Sequence, residues 1–354
     1  MSVVFWMGVW RSLGVKAVTL SVVLLSVLFL VVVMLGATGV SDRILTAIVN
    51  DELRTVRQAL SQKIKDPAEL EKALEQVRLE LMQSYGLDRP WYERIPSMVL
   101  RVLMLDLGYS RTITSFAGSR RVADIIAERI PYSVMLVTTA VAISAAAGIW
   151  LGMRAAYRRG SLFDRSLAYL AAISYALPSW WTGLLLILVF YFYLRVFPAG
   201  GLYSAPPPTD PLMKTFDLLW HAALPVATLV IVIIGGWAYV SRTMVLNIAQ
   251  EDFVQVAKAK GLPESLIRRR YILRPAAPPI ATNIVFAIAG SIGGAILTET
   301  VFNWPGMGRL YYEAISAFDE GLVVALTFIY TLIYVAARFI IEALIVVLDP
   351  RVRL

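Results

Sequence analysis

Six long apolar segments constrain what this chain of 354 residues can fold into. They lie near residues 15–37, 132–156, 166–196, 222–246, 280–300 and 321–348. A helix of about 20 apolar residues spans the hydrocarbon core of a bilayer and satisfies its own backbone hydrogen bonds there. Only 16% of the residues are charged and the mean hydropathy is +0.68, whereas soluble domains average about 25% charged residues. The sequence therefore predicts an all-α integral membrane protein with six transmembrane helices.

The first apolar segment is longer than a cleavable signal sequence requires. It runs from Val15 to Leu35, whereas the apolar core of a signal peptide has roughly 7–15 residues. We therefore expect residues 1–39 to contain a retained first span.

Basic residues are concentrated on one side of the predicted bundle. The 157–165 connection and the 247–279 segment carry many of them, whereas the opposite loops, about 197–221 and 301–320, carry only Lys214 and Arg309. Cytoplasmic loops are enriched in lysine and arginine. We therefore expect a multi-pass protein of the cytoplasmic membrane with both termini in the cytoplasm. This placement, rather than a nucleic-acid partner, explains the net charge of +8.

The composition excludes several kinds of chemistry. The chain has no cysteine and one histidine, so disulfides, zinc thiolate sites and cysteine nucleophiles are excluded. It also contains no Gly-x-x-x-x-Gly-Lys-Ser/Thr phosphate loop. We find no compact set of nucleophilic, acid–base or metal-ligating residues. No catalytic residue, metal or bound cofactor is therefore expected in this chain.

Residues 40–130 are polar and separate the first span from the second. Asp51 to Lys65 has the periodicity of an amphipathic helix. Asp66 and Pro67 then have the pattern of an N-cap and a first helical residue, and Gly86 is placed to end the second helix. We predict an extracytoplasmic helical hairpin. It either packs on the outer face of the membrane domain or forms a docking surface for a receptor.

A second polar interruption, from about 242 to 279, separates two apolar segments. Phe253, Val256 and Ala257 have i, i+3, i+4 spacing, which predicts a short helix with an apolar stripe. Acidic residues precede lysines, as the helix dipole favours, and a glycine ends the helix. The residues concerned are Glu251, Asp252, Lys258, Lys260 and Gly261. Such a helix either docks into another protein or rests on the lipid surface.

Several residues inside the spans are candidates for a solute path or an outer gate. Trp237 and Tyr239 offer aromatic faces on the fourth span. On the fifth, Gly290, Gly293 and Gly294 form a smooth face that suits either close helix packing or a pore lining. Glu299 either caps the following turn or contacts solute at the outer gate.

Two other polar side chains are expected to be structural. His221 begins the fourth span, and we interpret it as a hydrogen-bonding residue rather than a proton relay. Arg338 and Glu342 are four residues apart on the last span, and we expect an ion pair rather than a coupling-ion site.

The segment from Glu251 to Pro279 resembles the cytoplasmic EAA-type loop of permeases from ATP-binding-cassette (ABC) importers. Gln255-Val256-Ala257 stands where that pattern has Glu-Ala-Ala, and Gly261 lies at the expected distance. The long interval to Pro279 is similar to that of the dipeptide/oligopeptide permeases, first-subunit type. Further similar motifs occur in the same order: Tyr85-Gly86-Leu87-Asp88-Arg89-Pro90, Asp106-Leu107-Gly108-Tyr109-Ser110, Glu128-Arg129-Ile130-Pro131, His221-Ala222-Ala223-Leu224-Pro225, Arg242, Glu299-Thr300-Val301-Phe302-Asn303-Trp304-Pro305-Gly306-Met307-Gly308 and Asp349-Pro350-Arg351.

This resemblance implies the type I ABC importer permease architecture, with residues 131–354 as a five-helix permease core. The resemblance makes the segment 242–279 its cytoplasmic coupling loop, and residues 251–262 the helix that the partner ATPases grip. The implied partners are a second homologous permease, two ABC ATPase subunits that bind ATP and Mg²⁺, an extracytoplasmic solute-binding protein and membrane lipid. The implied cargo is a di- or oligopeptide or, as in some archaeal relatives, an oligosaccharide.

The alternative function is an ion-coupled secondary transporter. Such a carrier is expected to show inverted repeats or acidic residues near the bilayer midplane. Neither pattern is convincing in this sequence.

Overall fold

The computed structural model describes the backbone of residues 2–37 and 39–348, and this part of the chain is almost entirely helical. Its helices, in chain order, are α1 (Ser2–Ala37), α2 (Val40–Ser61), α3 (Pro67–Ser84), α4 (Trp91–Leu103), α5 (Val122–Tyr157), α6 (Leu162–Ala176), α7 (Ser179–Tyr193), α8 (Pro211–Ala249), α9 (Asp252–Ala259), α10 (Glu264–Ser291), α11 (Ile296–Val301), α12 (Met307–Ser316) and α13 (Glu320–Leu348). The closing motif Asp349-Pro350-Arg351 lies outside the described residues.

Within the described residues, five helices are long and apolar enough to cross a membrane. They are Gly14–Met34 of α1, α5, α8, α10 and Glu320–Ile341 of α13. Helices α6 and α7 qualify together as a sixth span. The predicted six-span, all-helical fold is therefore confirmed in type and in number, if the bent pair counts as one span.

The third span, expected over 166–196, is interrupted at Pro178, and α6 and α7 meet there at an angle of 97°. Pro178 lacks an N–H group and disfavours helical geometry in the residue before it. Leu177 accordingly has an extended ψ of 121°. A new helix then begins at Ser179, where Thr182 donates its side-chain hydroxyl to the Pro178 carbonyl over 3.0 Å.

The predicted limits of the fifth span, 280–300, are wrong at both ends. Helix α10 begins at Glu264 and ends at Ser291, and it contains a π-helical stretch at Ile267–Leu273. Pro278 and Pro279 were expected in a polar loop, yet they lie inside this helix. A turn at 292–295 then separates α10 from α11, so most of the predicted 242–279 loop is helical.

The chain forms two compact units. The first contains Ile126–Tyr312 and the described residues of Met1–Leu13 and Ile333–Leu354. In it, α5 and α8 pack through glycines, because a Cβ at Gly148 would lie 2.9 Å from the Ile234 carbonyl oxygen and one at Gly152 would lie 2.9 Å from the Arg242 nitrogen. Helix α6 also approaches α8, where Gly235 donates its backbone N–H to Ser174 Oγ over 3.2 Å.

The second unit contains Gly14–Ile125 and Glu313–Leu332. Helices α2 and α3 pack together as the predicted hairpin. Asp66 caps α3 by accepting the Ala68 N–H over 3.0 Å, and Gly86 follows the helix with a φ of 69°. Both of these predicted signals are confirmed.

A hydrogen bond also ties the two helices of the hairpin. Tyr85 donates its hydroxyl to Glu52 Oε1 over 2.7 Å. This bond to a carboxylate, together with burial, raises the pKa of Tyr85 above its ordinary value of 10.0.

Two further features organise the second unit. Leu28 and Val32 of α1 pack with Val102 of α4 and with Val324 and Phe328 of α13. The carboxylate of Asp319, which is 1% exposed, accepts bonds from the hydroxyl of Ser110, from Thr112 and from the backbone N–H groups of Arg111 and Leu322. It thereby ties the loop at 110–112 to the start of α13.

Candidate coupling surface and translocation path

The predicted helix near residues 251–262 is α9, Asp252–Ala259. Glu251 precedes it with an extended backbone, Asp252 lies in its first turn and Lys258 in its last. These charges complement the helix dipole. Gly261 has a φ of +70°, and a Cβ there would have nothing within 4 Å. A glycine is therefore favoured by backbone conformation and not by a lack of space.

The inward face of α9 differs from the predicted apolar stripe. Val254 is 0% exposed and Ala257 is 2% exposed. Both belong to a buried cluster with Val245 of α8 and with Ile267 and Ile272 of α10. Ala257 is consequently unavailable to a partner protein, which corrects its predicted contact role. Val254 was not predicted to belong to this face, although it precedes Ala257 by three residues.

The outward face of α9 keeps two of the predicted apolar residues. Phe253 is 44% exposed and Val256 is 52% exposed, and they lie three residues apart on one side of the helix. The predicted charged residues around them, Glu251, Asp252, Lys258 and Lys260, are all exposed. Charged side chains thus surround this small apolar patch, and the opposite face of α9 is buried against α8 and α10.

Two further contacts, neither of them predicted from the sequence, support this region. Arg242 Nη2 donates to Asp164 Oδ2 over 2.9 Å, and Arg242 Nε donates to Asp164 Oδ1. The guanidinium of Arg268 lies 4.5 Å from the centre of the Tyr157 ring. The partners are 78 residues apart in the first case, so no local pattern in the sequence signals them.

Trp237 and Tyr239, the aromatic candidates for the solute path, do not share a site. Trp237 lines a cavity of about 410 Å³ together with Tyr175 and Asn283. Tyr239 is 55% exposed and is not part of that lining as the structure describes it. Residues two apart on a helix point about 200° apart, which explains the separation.

Glu299 is a buried anchor and does not face a solute path. It is 0% exposed. Its Oε1 accepts the Ser133 hydroxyl over 2.7 Å and the Ala295 N–H over 3.0 Å, and its Oε2 accepts the Arg309 N–H over 2.9 Å. Of the two expected roles, capping of the adjacent turn is therefore the one that the geometry supports. The predicted contact with solute at an outer gate is wrong for this conformation.

The glycines that were predicted to form one smooth face do not lie on the same helix. Gly290 is exposed near the end of α10, and a Cβ there would meet nothing within 4 Å. Gly293 and Gly294 lie beyond the helix, in the turn at 292–295. A Cβ on Gly294 would lie 2.6 Å from the Gly308 nitrogen, so Gly294 permits close packing around Glu299 and does not line a path.

His221 is 4% exposed, and its Nδ1 lies 2.8 Å from the Asp217 carbonyl oxygen. This geometry agrees with the expected structural role. The Glu342 side chain, the predicted partner of Arg338, lies outside the described side chains. The Arg338 guanidinium lies 5.8 Å from the centre of the Phe286 ring.

The comparisons with known proteins agree with this architecture. A family profile described as "Binding-protein-dependent transport system inner membrane component" matches residues 148–354. The chain is 31% identical to a putative peptide transport system permease protein of Brucella abortus (strain 2308), over 79% of this chain and 84% of that protein. It is 27% identical to the oligopeptide transport system permease protein AppB of Bacillus subtilis (strain 168), over 78% and 84%. It is 31% identical to the probable D,D-dipeptide transport system permease protein DdpB of Escherichia coli (strain K12), over 81% and 88%.

The chain therefore belongs to the family of binding-protein-dependent transport system inner membrane components. It is a multi-pass permease subunit of an ABC importer, with the type I architecture that the sequence resemblance implied. The resemblance to dipeptide/oligopeptide permeases is confirmed.

Proposed function

We propose that this subunit moves di- or oligopeptides across the cytoplasmic membrane by alternating access, together with a second permease and a solute-binding protein. Two partner ATPases bind ATP and Mg²⁺ and drive the cycle. The three relatives named above are described as permeases of peptide, oligopeptide or D,D-dipeptide transport systems, and this supports peptide over oligosaccharide as the cargo. None of those descriptions supports an ion-coupled secondary transporter.

The distribution of basic residues supports an orientation with α9 in the cytoplasm. Arg158, Arg159 and Arg165 lie between α5 and α6 or in the first turn of α6, and Lys258 and Lys260 lie at the end of α9. The connection between α7 and α8 has few cations. By the positive-inside rule both termini are then cytoplasmic.

The single observation that carries the coupling mechanism is the two-sided packing of α9. Its outward patch, Phe253 and Val256, is free to enter a groove on an ATPase. Its inward residues, Val254 and Ala257, are locked against α8 and α10. Because packed interiors transmit displacement rather than absorb it, a force on the outward patch moves the two attached spans.

The cavity beside Trp237 is the part of the path that this subunit contributes. Its lining is mostly apolar, and the polar side-chain groups of its residues are the Asn283 amide, the Tyr175 hydroxyl and the Trp237 indole N–H. Among the described residues the lining contains no charged side chain. Such a surface binds no side chain strongly, which suits a permease whose cargo is selected by the solute-binding protein.

The coupling proposal is tested by placing a charge on the outward patch. Val256→Asp adds a carboxylate to an exposed position, so the chain is expected to fold and to insert normally. We expect loss of ATPase-subunit binding in a pull-down from membranes, and loss of transport. The matched control, Leu162→Asp, adds the same charge to another exposed apolar position, outside α9 at the start of α6, and it is expected to retain both. Normal ATPase binding by Val256→Asp would rule out this surface as the docking site.

The cargo proposal needs a separate measurement. The complete importer is reconstituted in lipid vesicles with its solute-binding protein loaded with di-, tri- or pentapeptides, or with oligosaccharides of similar size. We expect stimulation of ATP hydrolysis and uptake only with peptides. Stimulation by oligosaccharides alone would overturn the assigned cargo and leave the coupling surface intact.

A further inference from the structure

A second cavity lies between the end of α7 and the first part of α8, away from the coupling surface and from the Trp237 cavity. Its volume is about 530 Å³, within the range of small-ligand sites. Phe197 and Trp220 form one wall, with ring centres 4.4 Å apart and planes tilted by 35°. Tyr191 and Phe192 contribute further aromatic surface, with ring centres 4.9 Å apart.

One side of this cavity is held rigidly by hydrogen bonds. Asp217 accepts both the backbone N–H and the hydroxyl of Ser204, each over 2.7 Å. The carbonyl oxygen of Asp217 lies 2.8 Å from His221 Nδ1. Ser204 and His221 both line the cavity, so this side of the site is preformed.

Arg195 is the only arginine or lysine in the described lining. It follows the C-cap residue Leu194 of α7 and has a φ of +53°, a position where glycine is usual. The backbone there is fixed, because Leu194 donates to the Val189 carbonyl over 2.9 Å and Val196 donates to the Phe190 carbonyl over 2.8 Å. An arginine thus occupies a position where the backbone conformation favours glycine.

The Arg195 side chain makes no ion pair or ring contact within the described part of the chain. The neighbouring cation Lys214 differs, since its Nζ lies 5.1 Å from the centre of the Tyr203 ring. A guanidinium presents several N–H donors in a plane and matches the oxygens of a phosphate group. The cavity therefore has an unused anion-binding group beside aromatic walls.

The residues around the cavity indicate which kind of anion Arg195 binds. The cavity lies at one end of a candidate span, where tyrosine and tryptophan lie at the level of lipid headgroups. The adjoining surface of α7 is apolar and exposed, with Leu188 at 44% and Val189 at 41%. We propose that this cavity binds the phosphate of a phospholipid headgroup through Arg195, with an acyl chain along Leu188 and Val189.

Lipid binding here is independent of the cargo and of the coupling surface. It also does not require the proposed orientation of the subunit in the membrane. That orientation decides only which leaflet of the bilayer supplies the lipid. A soluble phosphate compound has no need of the exposed apolar strip beside the cavity, and this favours a lipid as the source of the phosphate.

The test measures lipid retained by the purified full-length chain, alone and in the assembled importer, by native mass spectrometry. Mixed micelles supply phosphatidylglycerol or a phosphate-free glycolipid of equal chain length. We expect one phosphatidylglycerol to be retained preferentially. Arg195→Gly is expected to weaken this retention by about tenfold, as the loss of charged hydrogen bonds predicts. Glycine suits the positive φ, so this variant is expected to fold.

Two controls distinguish the alternatives. Lys214→Gln removes a neighbouring cation and is expected to retain the lipid. Inorganic phosphate at the same concentration is expected not to displace it. Three results would each overturn the proposal. The first two are equal lipid retention by Arg195→Gly and displacement of the lipid by inorganic phosphate. The third is loss of the lipid when the partner subunits assemble, because it would show that a protein covers the cavity.

Discussion

Arg242 donates two hydrogen bonds from its guanidinium to the carboxylate of Asp164, and so joins α8 to the first turn of α6. The same carboxylate accepts the Gly160 N–H over 3.0 Å. The Asp164 side chain is 5% exposed and that of Arg242 is 22% exposed. Three polar contacts thus fix the α5–α6 connection to α8, which leads directly into α9.

Removal of both members of this pair is expected to destabilise the chain by less than the sum of the two single removals. Asp164→Asn or Arg242→Gln leaves one largely buried charge without its partner, at a cost of about 3 kcal/mol. The double variant removes both charges, so its loss is expected to be smaller than the sum of the single losses. Thermal unfolding of the purified variants in detergent measures this cycle. Strict additivity would show that the two side chains do not interact.

Replacement of the buried Glu299 is expected to reduce stability and to leave solute selectivity unchanged. In Glu299→Gln one carboxylate oxygen becomes an NH₂ group, which cannot accept a hydrogen bond, so either the Ala295 N–H or the Arg309 N–H loses its acceptor, at a cost of about 1–3 kcal/mol. Thermal stability and the relative KM values for acidic, neutral and basic peptides are measured together. Glu71→Gln, on the exposed surface of α3, is the control and is expected to change neither. A changed peptide preference in Glu299→Gln, with no loss of thermal stability, would show that Glu299 contacts the solute.

A methyl group at Gly152 is expected to separate α5 from α8. The added Cβ would lie 2.9 Å from the Arg242 nitrogen and 3.0 Å from Ser241 Cβ, so the backbones have to move apart. We expect Gly152→Ala to lose about 1–3 kcal/mol of stability through overpacking. Gly236→Ala is the matched control, because a Cβ there meets nothing within 4 Å. That variant is expected to gain up to about 1 kcal/mol from helix propensity, and equal losses in both would contradict the close approach.

The turn after α9 is expected to tolerate asparagine better than alanine. Gly261 has a φ of +70° and free space around it, so any effect of substitution comes from the backbone. Gly261→Ala is expected to cost about 1–2 kcal/mol, and Gly261→Asn less, since asparagine adopts this conformation more readily. Hydrogen exchange of the α9 amides measures the loss of local stability in each variant, and coupled ATPase activity measures its consequence for function. Identical behaviour of the two variants would mean that the turn does not retain a positive φ.

Local patterns in the sequence predicted much of the helical structure correctly. The apolar segments predicted the spans, Asp66 predicted the start of α3, and Gly261 predicted the end of α9. Each of these signals acts within one turn or one membrane thickness. The resemblance to importer permeases rested on similar local motifs, and for this reason it did not need the tertiary structure.

The tertiary structure alone decided which residues are available for function. Val254 and Ala257 became buried while Phe253 and Val256 stayed exposed, because α8 and α10 pack against one side of α9. Glu299 was placed in the interior by Ser133, which lies 166 residues away in the chain. Hydropathy and helix signals are properties of neighbouring residues, whereas burial and hydrogen bonding depend on side chains brought together from distant segments.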